Sequence, residues 1–170
     1  EKEYLNIAKK VKPNHELLNL YGVILFELKK YDQAVIQLKK SIEINPNYYQ
    51  GYNSLGNIFF KKNDFNAALE VYQKAIDLKF DYHEAYHNRG NVYLKLRQID
   101  KDLENYNLST KFNSSYLPAI KSKVDVHYNS KNFELALEEI QNYLSIEPNN
   151  PSIYHQRGDI FAEINNLDLA

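Results

Sequence analysis

The run His83-Glu84-Ala85-Tyr86-His87 has the residue types and spacing of a hydrolytic centre. On a helix, two histidines four residues apart share a face and can hold a zinc ion, with the intervening glutamate as general base. The run continues to Gly90, as the extended form of this pattern does. However, its third ligand position carries Tyr93, and the chain contains no methionine for the supporting turn. Every residue also has a plainer explanation: Ala85 and Tyr86 open an amphipathic helix, and Gly90 belongs to a periodic glycine column described below. We therefore expect no metal centre here beyond adventitious binding. His15, His127 and His155 are scattered without an acid or nucleophile beside them in sequence. There is no glycine-rich phosphate loop, nucleophile elbow or kinase signature, and the carboxylate pair Glu138-Glu139 lies in a solvated helical pattern. The expectation is a chain without catalytic residues and without a cofactor.

Composition narrows the partners. The net charge is −1 with both signs interspersed, so there is no basic footprint for nucleic acid and no polybasic anchor for an acidic membrane. No apolar run approaches the roughly 18 residues a membrane-spanning helix needs. Apolar residues make up 44 %, enough to bury a core. The absence of cysteine excludes disulfides and thiolate chemistry and fits a reducing compartment, from which a cytoplasmic location is expected.

The elements that position any site follow from an internal period. Gly22, Gly56 and Gly90 are each 34 residues apart, and Gly158 lies two periods further on. Ala34, Ala68, Ala136 and Ala170 form a second column in the same register. Pro13, Pro46 and Pro148 form a third, with Pro46 one residue early relative to Pro13 and with Phe80 and Ser114 in the intervening slots. A period of 34 is that of a helix–turn–helix repeat. Within one unit, Tyr52, Leu55 and Phe59, then Phe65, Ala68, Leu69, Tyr72 and Ile76, fall at helical spacing on one face each. Short polar breaks separate the two helices: Lys62-Asn63-Asp64 here, Lys29-Lys30 and Lys131-Asn132 elsewhere. Connections that short join antiparallel neighbours. The small residues let the paired backbones approach, and proline stops the second helix.

Carried by Tyr52-Asn53-Ser54-Leu55-Gly56-Asn57-Ile58-Phe59, then Asp64-Phe65-Asn66-Ala67-Ala68-Leu69 and Tyr72-Gln73-Lys74-Ala75, the chain resembles the tetratricopeptide repeat (TPR) family over essentially its whole length. The resemblance implies an all-α, right-handed solenoid of antiparallel helix pairs. Residues 1–14 would be the second helix of a truncated repeat, with Leu5, Ala8 and Pro13 in phase. Complete repeats would span 15–48, 49–82, 83–116 and 117–150, and residues 151–170 would begin another truncated one. The third and fourth repeats depart most: Asp102 stands in the alanine column, Val124 in the glycine column, and Arg89, Lys123 and Arg157 where leucine is usual. Asp102 is expected either to face Arg89 or to be solvated, and residues 114–124 to be the loosest-packed junction.

In this family the first helices of successive repeats line a groove that receives a peptide or a partner helix. Carried over by register, that groove would be lined by Asn19 and Phe26 in the first full repeat, then by Asn53, Asn57, Phe60 and Lys61 in the second. His87, Asn91, Leu94 and Lys95 would follow in the third, Lys121, Asp125, Tyr128 and Asn129 in the fourth, and His155 and Asp159 at the end. Asparagine carries both donors and acceptors and can bracket a peptide backbone, while Phe60, Leu94 and Tyr128 offer apolar contact. The carboxylate clamp of co-chaperone TPR domains is not matched, because Asn53, Pro118 and Ser122 stand where its cations would be. The asparagine run of glycosyltransferase TPR arms is matched in part by Asn53, Asn57, Asn88 and Asn91, but lapses at Val23, Ser122 and Gln156. The expected function is thus a protein-interaction scaffold that binds a protein or peptide. The alternatives are a substrate-recruiting arm of a larger enzyme such as a glycosyltransferase, or a scaffold that self-associates through open repeat ends.

Overall fold

The computed structural model describes residues 14–168, with side chains through residue 165. The helix expected within residues 1–14, including Leu5, Ala8 and Pro13, lies outside the described residues except for Asn14, and so does Ala170. The described elements are helical: α1 (His15–Glu27), α2 (Tyr31–Ile44), α3 (Tyr49–Lys61), α4 (Phe65–Leu78), α5 (His83–Lys95), α6 (Ile99–Phe112), α7 (Leu117–Asn129), α8 (Phe133–Ile146) and α9 (Pro151–Asp168). They fall into two compact units, residues 1–92 and 93–170, divided within α5.

The turns repeat with the sequence period. Lys29, Asn63, Arg97 and Lys131, each 34 residues apart, all have φ near +58°. Each ends a first helix in the same way. Lys29 N–H donates to Phe26 C=O (2.8 Å) and Lys30 N–H to Leu25 C=O (2.9 Å), and the same pair of bonds closes α3, α5 and α7. This is a Schellman closure, which satisfies the last carbonyls and reverses the chain. An aromatic pair packs beside three of these turns: Phe26 with Tyr31, Phe60 with Phe65 and Tyr128 with Phe133, ring centroids 5.8, 6.0 and 6.2 Å apart. The helix that follows the second turn is capped by Asp64, whose side chain accepts from Ala67 N–H at 3.2 Å.

In the first unit α1 packs on α2, α2 on α3 and α3 on α4, around Leu25, Ala34, Leu38, Leu55 and Ile58. The glycine column is where these pairs touch. A Cβ on Gly22 would sit 2.7 Å from the Leu38 side chain, and one on Gly56 only 2.4 Å from the Tyr72 ring. In the second unit α7 packs on α6 and α8, and α8 on α9, around Ile120, Val124, Ala136, Ile140, Ile153 and Ile160. Ala119, Ile120 and Val124 are fully buried. The loose packing expected of residues 114–124 is therefore not found from Ala119 onward, because valine fills the glycine position with apolar volume.

The charged departures resolve differently from one another. Arg89 donates to Gln73 Oε1 and lies over the Tyr86 ring, 5.3 Å from its centroid. Lys123 pairs with Glu139, both side chains mostly buried. Asp102 has neither of the fates expected of it. It is completely buried, and neither carboxylate oxygen has a side-chain hydrogen-bond partner. Burial pushes its carboxyl up to about 6, with Asp100 adding to the shift and the nearby Leu103 backbone N–H opposing it.

Candidate binding grooves

The first unit holds a cavity of about 260 Å³ formed by α1, α3 and α5, with a floor from α4. Phe26, Asn57, Phe60, Lys61 and Asn91 from the expected groove set line it, joined by Asn88 and Tyr72. The amides here are not loosely solvated. Tyr72, 1 % exposed, donates its hydroxyl to Asn57 Oδ1 at 2.7 Å. Asn88 Nδ2 donates to Oδ1 of the buried Asn53 at 2.9 Å. The Asn57 carbonyl is thereby used inward, which turns its NH₂ group toward the cavity. The Asn88 NH₂ is used inward, and the same side chain also hydrogen-bonds the neighbouring His87. Asn53 lies one layer behind the lining rather than in it. His87 also lies behind, 3.5 Å from Asn91 Nδ2, and burial lowers its imidazole to about 4, so it is neutral at physiological pH. Asn19, whose Oδ1 is buried without a hydrogen-bond partner, is outside the lining.

The second unit holds a cavity of about 680 Å³ between α7 and α9. The six expected residues Lys121, Asp125, Tyr128, Asn129, His155 and Asp159 all line it. Pro151, Ser152 and Gln156 complete the wall. Lys121 Nζ lies 2.5 Å from Asp125 Oδ1, and Gln156 Nε2 donates to the same oxygen at 2.9 Å. His155 Nδ1 is 3.1 Å from Asp159 Oδ2. Leu94 and Lys95, expected in the groove, are exposed at the end of α5 and line neither cavity.

Tyr72 was legible only as a core aromatic, because helical periodicity reports the buried ring and not the destination of its hydroxyl. Gln156 read as a lapse in the asparagine run, yet its longer amide crosses from α9 to Asp125 on α7. His83 and His87 do not assemble a ligand set. His83 Nδ1 lies 3.1 Å from Glu84 Oε2, and no three histidine or carboxylate side chains converge on a metal position among the described residues.

Helix pairs with a 34-residue turn period agree with what family models find. The TPR repeat model matches residues 22–63 and 56–96, and the tetratricopeptide repeat model matches residues 83–116, so together they run from 22 to 116. The chain belongs to the tetratricopeptide repeat family. Solved structures show the same all-α TPR fold. MamA is 24 % identical with a TM-score of 0.72, and the match covers 85 % of each chain. YrrB, described as a TPR protein with an unusual peptide-binding site, is 16 % identical with a TM-score of 0.70, over 96 % of this chain and 84 % of its own. The first TPR of Spaghetti (RPAP3), bound to the HSP90 peptide SRMEEVD, is 19 % identical with a TM-score of 0.65, over 69 % of this chain and 94 % of its own. No curated protein sequence matches the chain. TPR proteins with bound or bindable peptides thus share its fold, and a protein-interaction role is the coarse function this family supports.

Proposed function

We propose that this TPR chain is a non-catalytic scaffold whose grooves bind an extended peptide of another protein. The observation that carries the reading is the pinned amide pair in the first unit. Tyr72 occupies the Asn57 carbonyl and so leaves the Asn57 NH₂ as the donor for a ligand, while Asn53 holds Asn88 in place beside it. A peptide C=O is the complement of that amide donor. Because the amides are already oriented by buried partners, little rotamer entropy is lost when a ligand binds. Phe26 and Phe60 flank the amides and offer apolar contact to neighbouring side chains.

The test is fluorescence anisotropy with labelled decapeptide mixtures. The Asn57→Ala/Asn88→Ala variant should bind about tenfold or more weakly, since each lost hydrogen bond is worth about 1 kcal/mol. Its far-UV circular dichroism should be unchanged. Equal affinity of variant and wild type would overturn the groove reading.

A further inference from the structure

The two cavities share one column of the repeat. Asn57, Asn91, Asp125 and Asp159 are each 34 residues apart, so the amides of the first unit are carboxylates in the second. Asparagine and aspartate are nearly the same shape, so the fold has no steric need for the exchange. What changes is charge and the loss of every donor, because a carboxylate only accepts.

Both carboxylates are held in place. Lys121 and Gln156 occupy the same oxygen of Asp125, Oδ1, and His155 occupies Oδ2 of Asp159. Among the described residues, no hydrogen bond engages Oδ2 of Asp125 or Oδ1 of Asp159. Their side chains are 43 % and 49 % exposed, reachable from the cavity yet partly screened from water. The lining carries two carboxylates against the one ammonium of Lys121, whereas the first cavity carries Lys61 and no carboxylate. The Tyr128 ring stands on the same wall.

We propose that the α7–α9 groove takes the basic side chain of a bound peptide, an arginine or lysine, with its charged end between Asp125 and Asp159 and its alkyl stem along Tyr128. Arginine suits the position best, since a guanidinium can donate to two acceptors at once and stack on an aromatic ring. Lys121 holds Asp125 in place without cancelling Asp159. This inference rests on the peptide-binding reading above and adds the selection of charge at one subsite.

The experiment uses the full chain and positional-scanning decapeptide pools in which one position is fixed as arginine, norleucine or glutamate. Arginine pools should bind about fivefold more tightly than norleucine pools, as fits partly exposed ion pairs, and the gap should shrink as salt is raised. In the isosteric Asp125→Asn/Asp159→Asn variant the gap should close while norleucine pools keep their affinity and thermal stability holds. Equal binding of arginine and norleucine pools, a preference for glutamate, or a gap that survives the double Asp→Asn substitution would overturn the charge selection alone. Binding by no pool would overturn both this inference and the peptide-binding reading.

Discussion

The hydroxyl of Tyr72, at the floor of the first groove, donates to Oδ1 of Asn57 across 2.7 Å and so decides which end of that amide faces a ligand. One side chain therefore serves two layers: its ring fills the core against Gly56, and its oxygen orients the binding surface.

Tyr72→Phe should separate those layers. The ring remains, so the helix pair stays folded and loses about 1 kcal/mol with the hydrogen bond. Asn57 becomes free to turn over, and peptide affinity should fall several-fold by anisotropy. Unchanged affinity, with the same circular dichroism, would mean that Asn57 does not depend on Tyr72 for its orientation.

The glycine column gives a contrasting pair. A methyl group on Gly56 would meet the buried Tyr72 ring at 2.4 Å, whereas one on Gly158 would meet nothing within 4 Å. Gly56→Ala should destabilise the chain by about 1–3 kcal/mol through overpacking. Gly158→Ala should stabilise it by about 0.5–1 kcal/mol, because alanine loses less backbone freedom in a helix. Urea unfolding of both variants decides the matter, and equal effects would refute the packing argument.

Asp102→Ala should raise stability, and the gain should depend on pH. Asp102 stands where Ala34, Ala68 and Ala136 stand in the other repeats. Its folded pKa is raised from 3.8 to about 6. Below pH 3.8 the group is protonated in both states and costs little. Between 3.8 and 6 the unfolded chain loses the proton first, so wild-type stability falls as pH rises, and above 6 the full penalty applies. Charging this carboxylate in the folded state should therefore cost on the order of 1–3 kcal/mol. Thermal denaturation of wild type and Asp102→Ala should therefore diverge from pH 4 to pH 7. A constant difference across that range would show that the carboxylate's charge is not what destabilises.

Much of this was legible in the sequence, for reasons that differ by residue. The 34-residue columns report backbone approach and helix ends, so the helix pairs followed from register, and the TPR resemblance carried Asn57, Asn91, Asp125 and Asp159 to positions that line the two cavities. Register is silent on where a side chain's far end goes. Asn53 and His87 share the column four residues before Asn57 and Asn91, yet they sit behind the lining and support it. Phe26, Phe60 and Tyr128 were expected to serve a ligand, and each also spends a ring face on the residue that opens the next helix. Asp102 was misjudged because solvation or a partner is the rule for a charge, and this one has neither.

The turns offer the last prediction. Lys29, Asn63, Arg97 and Lys131 all hold left-handed backbone, where a Cβ crowds the following carbonyl. Glycine removes that crowding and is the usual residue at this step of a Schellman closure, while asparagine tolerates the region better than lysine or arginine. Glycine also makes the unfolded chain more flexible, which offsets part of the gain. The net effect should be a stabilisation of about 0.5–1 kcal/mol for Lys29→Gly, Arg97→Gly or Lys131→Gly, and less for Asn63→Gly. The four turns share the same hydrogen bonds, so differences among them isolate the side chain's own conformational preference. Chemical denaturation should therefore rank Asn63→Gly last, and a loss of stability at Lys29 or Lys131 would show that those side chains contribute more at the turn than their backbone strain costs.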